Sequence, residues 1–271
     1  MTTTPGGVII VIPARYHSTR FPAKPLALLR GAQGTLRPLI ERTWRAASAV
    51  PGIDRVVVAT DDARIADVAQ GFGAEVAMTP ADCRNGSERC AAVLAMLGDD
   101  PRLVINWQGD APLTPAAMVT TLIERIDASP DIGVMTPAVP CTPAVLAALI
   151  ADQDAGRVGG TTVVFNQALR ALYFSKRVIP YVPPALLSAE APQVHLHIGV
   201  YAYRPRALRM YAAAAPSPLE DLEGLEQLRF ADIGVGVGVA LCRPPGCDLI
   251  ECNNPGDVAQ IERALATLGV D

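Results

Sequence analysis

The sequence predicts an α/β fold: a mostly parallel, Rossmann-like sheet flanked by helices, with a smaller antiparallel element in its second half. Three observations carry this. Val8 to Ile12 is an unbroken β-branched run, the pattern of a strand buried on both faces inside a parallel sheet. Strand-like and helix-like stretches then alternate as far as Val139, as βαβ units require. From Gly159 the pattern changes to two strand-like stretches, Thr161 to Phe165 and Ala171 to Phe174, separated by a short Asn-containing turn.

The first strand is expected to end at Pro13. The loop after it carries Arg15, Arg20 and Lys24, with Ser18 and Thr19 between them. Ligands of open α/β sheets sit at the carboxyl ends of the strands, so this cationic loop suits a polyanion such as a phosphate chain. A helix is expected from near Pro38 to Pro51-Gly52, then a strand from Arg55 to Thr60. Asp61 and Asp62 cap a helix whose Ile65, Val68, Ala69 and Phe72 fall at helical spacing. Ala74 to Met78 reads as a strand, Thr79 to Gly86 as a polar loop, and a helix follows from Ser87.

Leu103 to Trp107 is the next strand. It ends in Gln108-Gly109-Asp110, a sharp turn that leaves a carboxylate where a metal ligand is useful. Thr114-Pro115 opens another helix, and Ile132 to Val139 returns to the sheet. The proline-rich stretch Ile179 to Val194 reads as a loop reaching over a pocket or toward a second subunit. His195 to Tyr203 is expected as one strand, and Leu219 to Phe230 as an amphipathic helix with Leu222, Leu225 and Leu228 inward. A final helix starts at Asn253-Asn254-Pro255 and runs through Leu268. No G-x-G-x-x-G follows the first strand, which disfavours a dehydrogenase-type dinucleotide fold.

A chain of 271 residues fits one large domain or one with a smaller lobe. A net charge of −4 argues against a general nucleic-acid binder. No apolar run reaches the roughly 18 residues of a membrane span, and the N-terminus lacks the pattern of a signal peptide. The expectation is a cytoplasmic protein with no membrane partner. Cys83, Cys90, Cys141, Cys242, Cys247 and Cys252 include no Cys-x-x-Cys and read as free thiols. His195 and His197 share a strand face at a spacing that zinc could use, but no third ligand accompanies them.

Pro13-Ala14-Arg15-Tyr16-x-Ser18-Thr19-Arg20-x-Pro22-x-Lys24-Pro25-Leu26 resembles the signature loop of the 3-deoxy-manno-octulosonate cytidylyltransferases, the CMP-Kdo synthetases. Further similar segments follow in the family's order. They are Val57-Ala59-Thr60-Asp61, Asn85-Gly86-Ser87-Glu88-Arg89, Gln108-Gly109-Asp110-Ala111-Pro112, Ala171-Leu172-Tyr173-Phe174-Ser175, His197-Ile198-Gly199-Val200-Tyr201 and Leu225-Glu226-Gln227-Leu228-Arg229.

The resemblance implies a single nucleotidyltransferase domain over 1–271, with a CTP-binding half at 8–140, a sugar-binding and dimerisation element at 159–241 and a C-terminal helix at 250–268. It implies CMP transfer from CTP to 3-deoxy-D-manno-octulosonate for lipopolysaccharide or capsule synthesis, with Mg2+, in a homodimer. Arg15, Lys24 and Asp110 would be catalytic. Ala14, Arg15, Arg20, Lys24, Asn85, Gly86, Ser87 and Gln108 would hold CTP. His197, Tyr201, Glu226 and Gln227 would hold the sugar, and Asp110 and Asn253 the metal.

The chain departs from the family pattern at Lys176, where the family has Arg, at Thr162, where it has Lys, and at Asn253, where it has Asp. Asp257 is the alternative to Asn253. A cytidylyltransferase for another keto-deoxy sugar acid or a phosphonate, and a catalytically silent relative, stay open.

Overall fold

Val8–Ala14 forms strand β1 in the computed structural model, which describes residues 6–18, 20–98, 100–187, 194–244 and 249–271. Thr19, Cys247 and 188–193 of the proline-rich stretch lie outside the described residues. The chain forms two compact units, Met1–Thr120 with Pro245–Asp271, and Thr121–Pro244.

In the first unit β1 runs through Pro13, its expected end, to Ala14, one residue beyond. A proline is tolerated there because its fixed φ suits an extended strand end. A short hairpin follows, β2 (Leu28–Arg30) and β3 (Leu36–Pro38), paired antiparallel and not anticipated from the sequence. Then come α1 (Leu39–Ser48), β4 (Arg55–Thr60), α2 (Ala63–Gly71), β5 (Glu75–Met78), α3 (Gly86–Ala95) and β6 (Leu103–Trp107). The strand order is β5-β4-β1-β6 and every pairing is parallel. Ile9, Ile10, Val11 and Ile12 are buried, as the β-branched run requires. Because β1 and β6 are parallel neighbours, the loops leaving Ala14 and Trp107 emerge at the same end of the sheet. The division between units falls within α4 (Ala116–Asp127).

The second unit begins with β7 (Val134–Pro140) and α5 (Pro143–Asp154), the latter capped by Thr142 and not anticipated from the sequence. β8 (Thr162–Phe165) and β9 (Ala171–Ser175) form the expected antiparallel hairpin, and Asn166 Oδ1 accepts the turn N–H groups of Ala168 and Arg170. The strand expected over His195 to Tyr203 is broken in two, β10 (His195–His197) and β11 (Val200–Tyr203). Both pair antiparallel with the same edge of β7, β11 at Val134–Met135 and β10 at Ala138–Pro140, and β10 leads on to β8 and β9. Pro137 of β7 has no N–H to continue a ladder, and its carbonyl accepts Ile198 N at the break.

α6 (Pro205–Ala213) comes next. The helix expected over Leu219 to Phe230 is also two pieces, α7 (Pro218–Glu223) and α8 (Gln227–Asp232). Gly224 separates them in a left-handed conformation, φ 60°, which glycine adopts without strain. The break turns Leu222 outward, 83% exposed, while Leu225 and Leu228 stay buried. β12 (Val237–Leu241) pairs parallel with β7. β7 therefore has antiparallel and parallel partners, where the alternation predicted a parallel strand.

The chain returns to the first unit with α9 (Asp257–Leu268), whose Ile261 and Leu265 pack with Leu29, Leu39, Leu113 and Cys252. The helix expected over 250–268 shrinks to this range. Asp257 Oδ2 accepts Asn253 N at 2.8 Å and Asn254 N at 2.6 Å, which holds the preceding residues in a turn, and Leu268 is left 46% exposed. Among the described residues no helix is long and apolar enough to cross a membrane.

The second unit contains a buried ion pair. Arg229 Nε and Nη2 donate to the two Glu220 oxygens at 2.6 and 2.7 Å, and Tyr211 Oη donates to the same carboxylate at 3.1 Å. Removing one partner of such a pair strands the other charge in a poorly solvated place. Glu220→Gln is expected to lower unfolding free energy by about 3 kcal/mol, read from urea denaturation.

Candidate active site

A cleft of about 190 Å³ opens at the carboxyl ends of β1 and β6 in the first unit. Ala14, Arg15, Arg20, Lys24, Asn85, Gly86, Gln108, Asp110 and Asn253 all line it. Ser87, expected beside them, is fully buried in the first turn of α3 and is not among the lining residues. Asn85 caps that helix, its Oδ1 accepting Glu88 N at 2.9 Å.

The cationic loop is fastened at several points. Ala23 N donates to Tyr16 O at 3.1 Å, and Phe21 N to Ser18 Oγ at 3.3 Å. Arg15 Nη1 reaches Arg84 O at 3.4 Å. Ala23 itself lies at φ 56°, a left-handed backbone that costs an alanine about 1–2 kcal/mol. The next residue is Lys24, at the start of a 3-10 turn with Pro25 as its second residue.

One fastening had no signal in the sequence. The Arg64 guanidinium stacks 3.3 Å from the centre of the Tyr16 ring, and it grips Asp62 through Nε at 2.9 Å and Nη2 at 2.6 Å. The bond to Arg64 holds the Asp62 carboxyl down at about 2. Asp62 caps α2, so the residue after Arg15 is tied to a helix end.

Opposite the loop, Asp110 and Asn253 supply oxygen. Lys24 Nζ donates to Asp110 Oδ2 at 2.5 Å, and Arg20 Nη2 to Asn253 Oδ1 at 3.3 Å. Asn253 Nδ2 in turn donates to Glu251 Oε2 at 3.3 Å, a carboxylate that pattern reading overlooked. Asp257, the alternative to Asn253, has Oδ2 engaged by two backbone N–H groups. Gly109 is required where it stands. A Cβ there would meet the Pro13 carbonyl oxygen at 2.5 Å, so any larger residue would push the Asp110 turn away from β1.

The second unit gathers another set of polar groups. His197 is buried, with its Nε2 2.9 Å from Thr136 Oγ1 and its ring against Phe174 and Tyr201. Tyr201 Oη donates to Gln227 Oε1 at 3.1 Å, while Gln227 Nε2 is buried without a partner. Glu226 directly precedes α8 and is half-buried. Beside them Glu223, unmarked in the sequence reading, accepts from Ser175 Oγ at 2.8 Å and from Lys176 N at 3.0 Å. Among the described residues no group of three His, Cys, Asp or Glu side chains forms a metal cage, and His195 packs on Phe165.

A family model described as cytidylyltransferase matches residues 9–237. The chain belongs to the cytidylyltransferase family. A Maricaulis maris protein named 3-deoxy-manno-octulosonate cytidylyltransferase is 44% identical to this chain over 262 residues, covering 97% of this chain and 98% of its own length. A Chlamydia abortus protein of the same name is 37% identical over 257 residues, covering 94% and 92%. The solved structure of CMP:2-keto-3-deoxy-manno-octonic acid synthetase complexed with CTP aligns with a TM-score of 0.82 at 32% identity, covering 97% of this chain and 99% of that one. A 4-diphosphocytidyl-2C-methyl-D-erythritol synthase from Anaerococcus prevotii, at 12% identity and a TM-score of 0.58, shares the fold.

In this cytidylyltransferase burial holds His197 neutral, its pKa lowered from 6.5 to about 3. Between those values the unfolded chain carries a proton that the folded one lacks, so stability falls as pH drops from 6.5 toward 3. His197→Gln removes this contribution. Urea midpoints at pH 7 and pH 5 are expected to show the wild type losing up to about 2 kcal/mol more than the variant; equal losses would mean that His197 is not buried neutral.

Proposed function

We propose that the protein transfers CMP from CTP to the anomeric hydroxyl of 3-deoxy-D-manno-octulosonate, releasing pyrophosphate. The observation that carries this reading is the cleft in which Arg15, Arg20 and Lys24 face Asp110 at the carboxyl ends of β1 and β6. The relatives named above support it. The sugar oxygen attacks the α-phosphorus as the bond to the β-phosphate oxygen breaks, and negative charge accumulates on the departing pyrophosphate. Arg15, Arg20 and Lys24 would hold that charge in place, which is the largest contribution a protein makes to such a transfer. The cytosine edge would meet Asn85-Gly86 and Gln108, where Gly86 leaves close access to the Asn106 and Gln108 side chains.

The donor set fits Mg2+. Asp110 offers a carboxylate, Asn253 a carbonyl, and Glu251 a second carboxylate one hydrogen bond further away, all hard oxygens. Bound there, magnesium would neutralise phosphate charge. For the acceptor, the unpartnered Gln227 Nε2 is a buried donor without its hydrogen bond, and a sugar oxygen would supply one. His197, Tyr201 and Glu226 add donors and acceptors, and Lys176 adds a cation for the sugar carboxylate. This reading expects a cytoplasmic enzyme, since CTP is an intracellular nucleotide, with product feeding lipopolysaccharide or capsule. It also expects a homodimer, for which Leu172 and Leu222 offer exposed apolar surface.

Pyrophosphate release with CTP, Mg2+ and a panel of acidic acceptors tests the reading. Release is expected with 3-deoxy-D-manno-octulosonate and with CTP over UTP; release only with another acceptor would reassign the sugar site, and none with any acceptor would leave a silent nucleotide binder. The loop fastening makes a separate prediction. An exposed cation–π contact contributes about 0.5–1 kcal/mol, so Arg64→Ala should raise KM for CTP about two- to fivefold with kcat kept, because bound triphosphate holds the loop by itself.

A further inference from the structure

Two of the loop's three cations already have partners on the opposite wall of the cleft. Lys24 Nζ lies 2.5 Å from Asp110 Oδ2, and the two side chains are only 16% and 21% exposed. Arg20 Nη2 lies 3.3 Å from Asn253 Oδ1. The two contacts differ in kind. Asp110 is charged and half-buried with its partner, so its hold on Lys24 is ionic and weakly screened. Asn253 is neutral, so its hold on Arg20 is an ordinary hydrogen bond.

A triphosphate entering this cleft meets an ion pair where it needs a free ammonium. A divalent cation entering alone meets Asp110 with the Lys24 charge beside it. When both enter, Lys24 turns to phosphate and Asp110 to the cation, and every charge keeps an opposite partner. Resting on the reading of the cleft as the CTP site, we infer that the Lys24–Asp110 pair is a latch that couples the two ligands: each one releases the residue the other needs. Coupling of this kind is reciprocal, so the nucleotide tightens cation binding by the factor with which the cation tightens nucleotide binding. Arg20, loosely held by a neutral partner, remains available for the first contact with phosphate.

The latch makes Lys24 nearly idle toward nucleotide until a cation arrives. CTP binding is measured by titration calorimetry, with and without saturating Mg2+, on the wild type, Lys24→Met, Asp110→Asn and the double variant. Lys24→Met is expected to weaken CTP binding at least tenfold with Mg2+, the range of a charge-assisted phosphate bond, yet less than threefold without it. Unlatched screening alone would give the reverse order, a greater loss without Mg2+, and that result would overturn the latch.

Asp110→Asn frees Lys24, so it should tighten Mg2+-free CTP binding about fivefold, as expected for releasing one partly exposed ion pair. That gain should vanish in the Lys24→Met background. An equal gain in both backgrounds would mean simple repulsion by Asp110 and would also overturn the proposal. Failure of the wild type to bind CTP under either condition would instead overturn the nucleotide-site reading beneath it.

Discussion

The site depends on the parallel pairing of β1 with β6. Parallel neighbours send their carboxyl ends in one direction, and here that brings the cationic loop after Ala14 and the Asp110 turn after Trp107 to a common cleft. The pairing is maintained by burial, since Ile9 to Ile12 of β1 and Val104 and Ile105 of β6 are removed from water. It is also limited by volume. Gly109 is the residue that lets the β6 exit pass against the Pro13 carbonyl, and Thr43 Oγ1 of α1 donates to the Gly109 carbonyl at 3.0 Å. A helix, a strand end and a glycine thus hold Asp110 within reach of Lys24, on rigid elements where charge placement can be accurate.

The parallel half was legible because its central strands β1 and β6 are buried on both faces and its helices carry an apolar stripe, so burial and periodicity point the same way. The second unit was less legible, for local reasons. α5 has apolar residues all round and therefore no stripe to recognise, although Thr142 and Pro143 mark its start. The breaks at Ile198–Gly199 and Gly224 lie inside runs that read as continuous, because the pattern on either side keeps its period while the backbone changes direction. For the cleft, residue types and motif context pointed to Arg15, Arg20, Lys24, Asp110 and Asn253, which line it, but not to Arg89, which also lines it, nor to Glu251 beside Asn253. The fastening of Tyr16 by Arg64 was illegible because it joins a loop to a helix far along the chain, and neither residue stands out locally.

Two of the three departures from the family pattern, Asn253 and Thr162, alter charge. With Asn253 in place of a carboxylate, the cleft has one ionic contact between its walls instead of two. A second carboxylate would bind Arg20 as firmly as Asp110 binds Lys24 and would deepen the negative potential that a triphosphate must enter. The same change removes a charge that a divalent cation would use. On the proposed reading of the cleft, the substitution would trade cation affinity for easier entry of nucleotide, with the Glu251 carboxylate bonded to Asn253 Nδ2 close by.

Lys176 and Thr162 change the second unit in a related way. Thr162 Oγ1 donates to the Arg177 carbonyl at 2.6 Å and accepts Ile179 N at 3.2 Å, so a position the family fills with a cation here ties down the chain beyond β9. The remaining cation is Lys176, and its place is set by Gly224: a Cβ at that glycine would come within 2.8 Å of Lys176 Nζ. The glycine that breaks the helix thus also makes room for the ammonium beside the last turn of α7, where helix carbonyls favour positive charge. Glu223 accepts the Lys176 backbone N–H and so fixes the stem from the same turn. An arginine here would bring a planar fork suited to a carboxylate, but its larger head would not fit against Gly224 in the same pose. The helix break and the lysine are therefore one adaptation: a compact charge, held at short range by a glycine turn, close in sequence to Glu226 and Gln227.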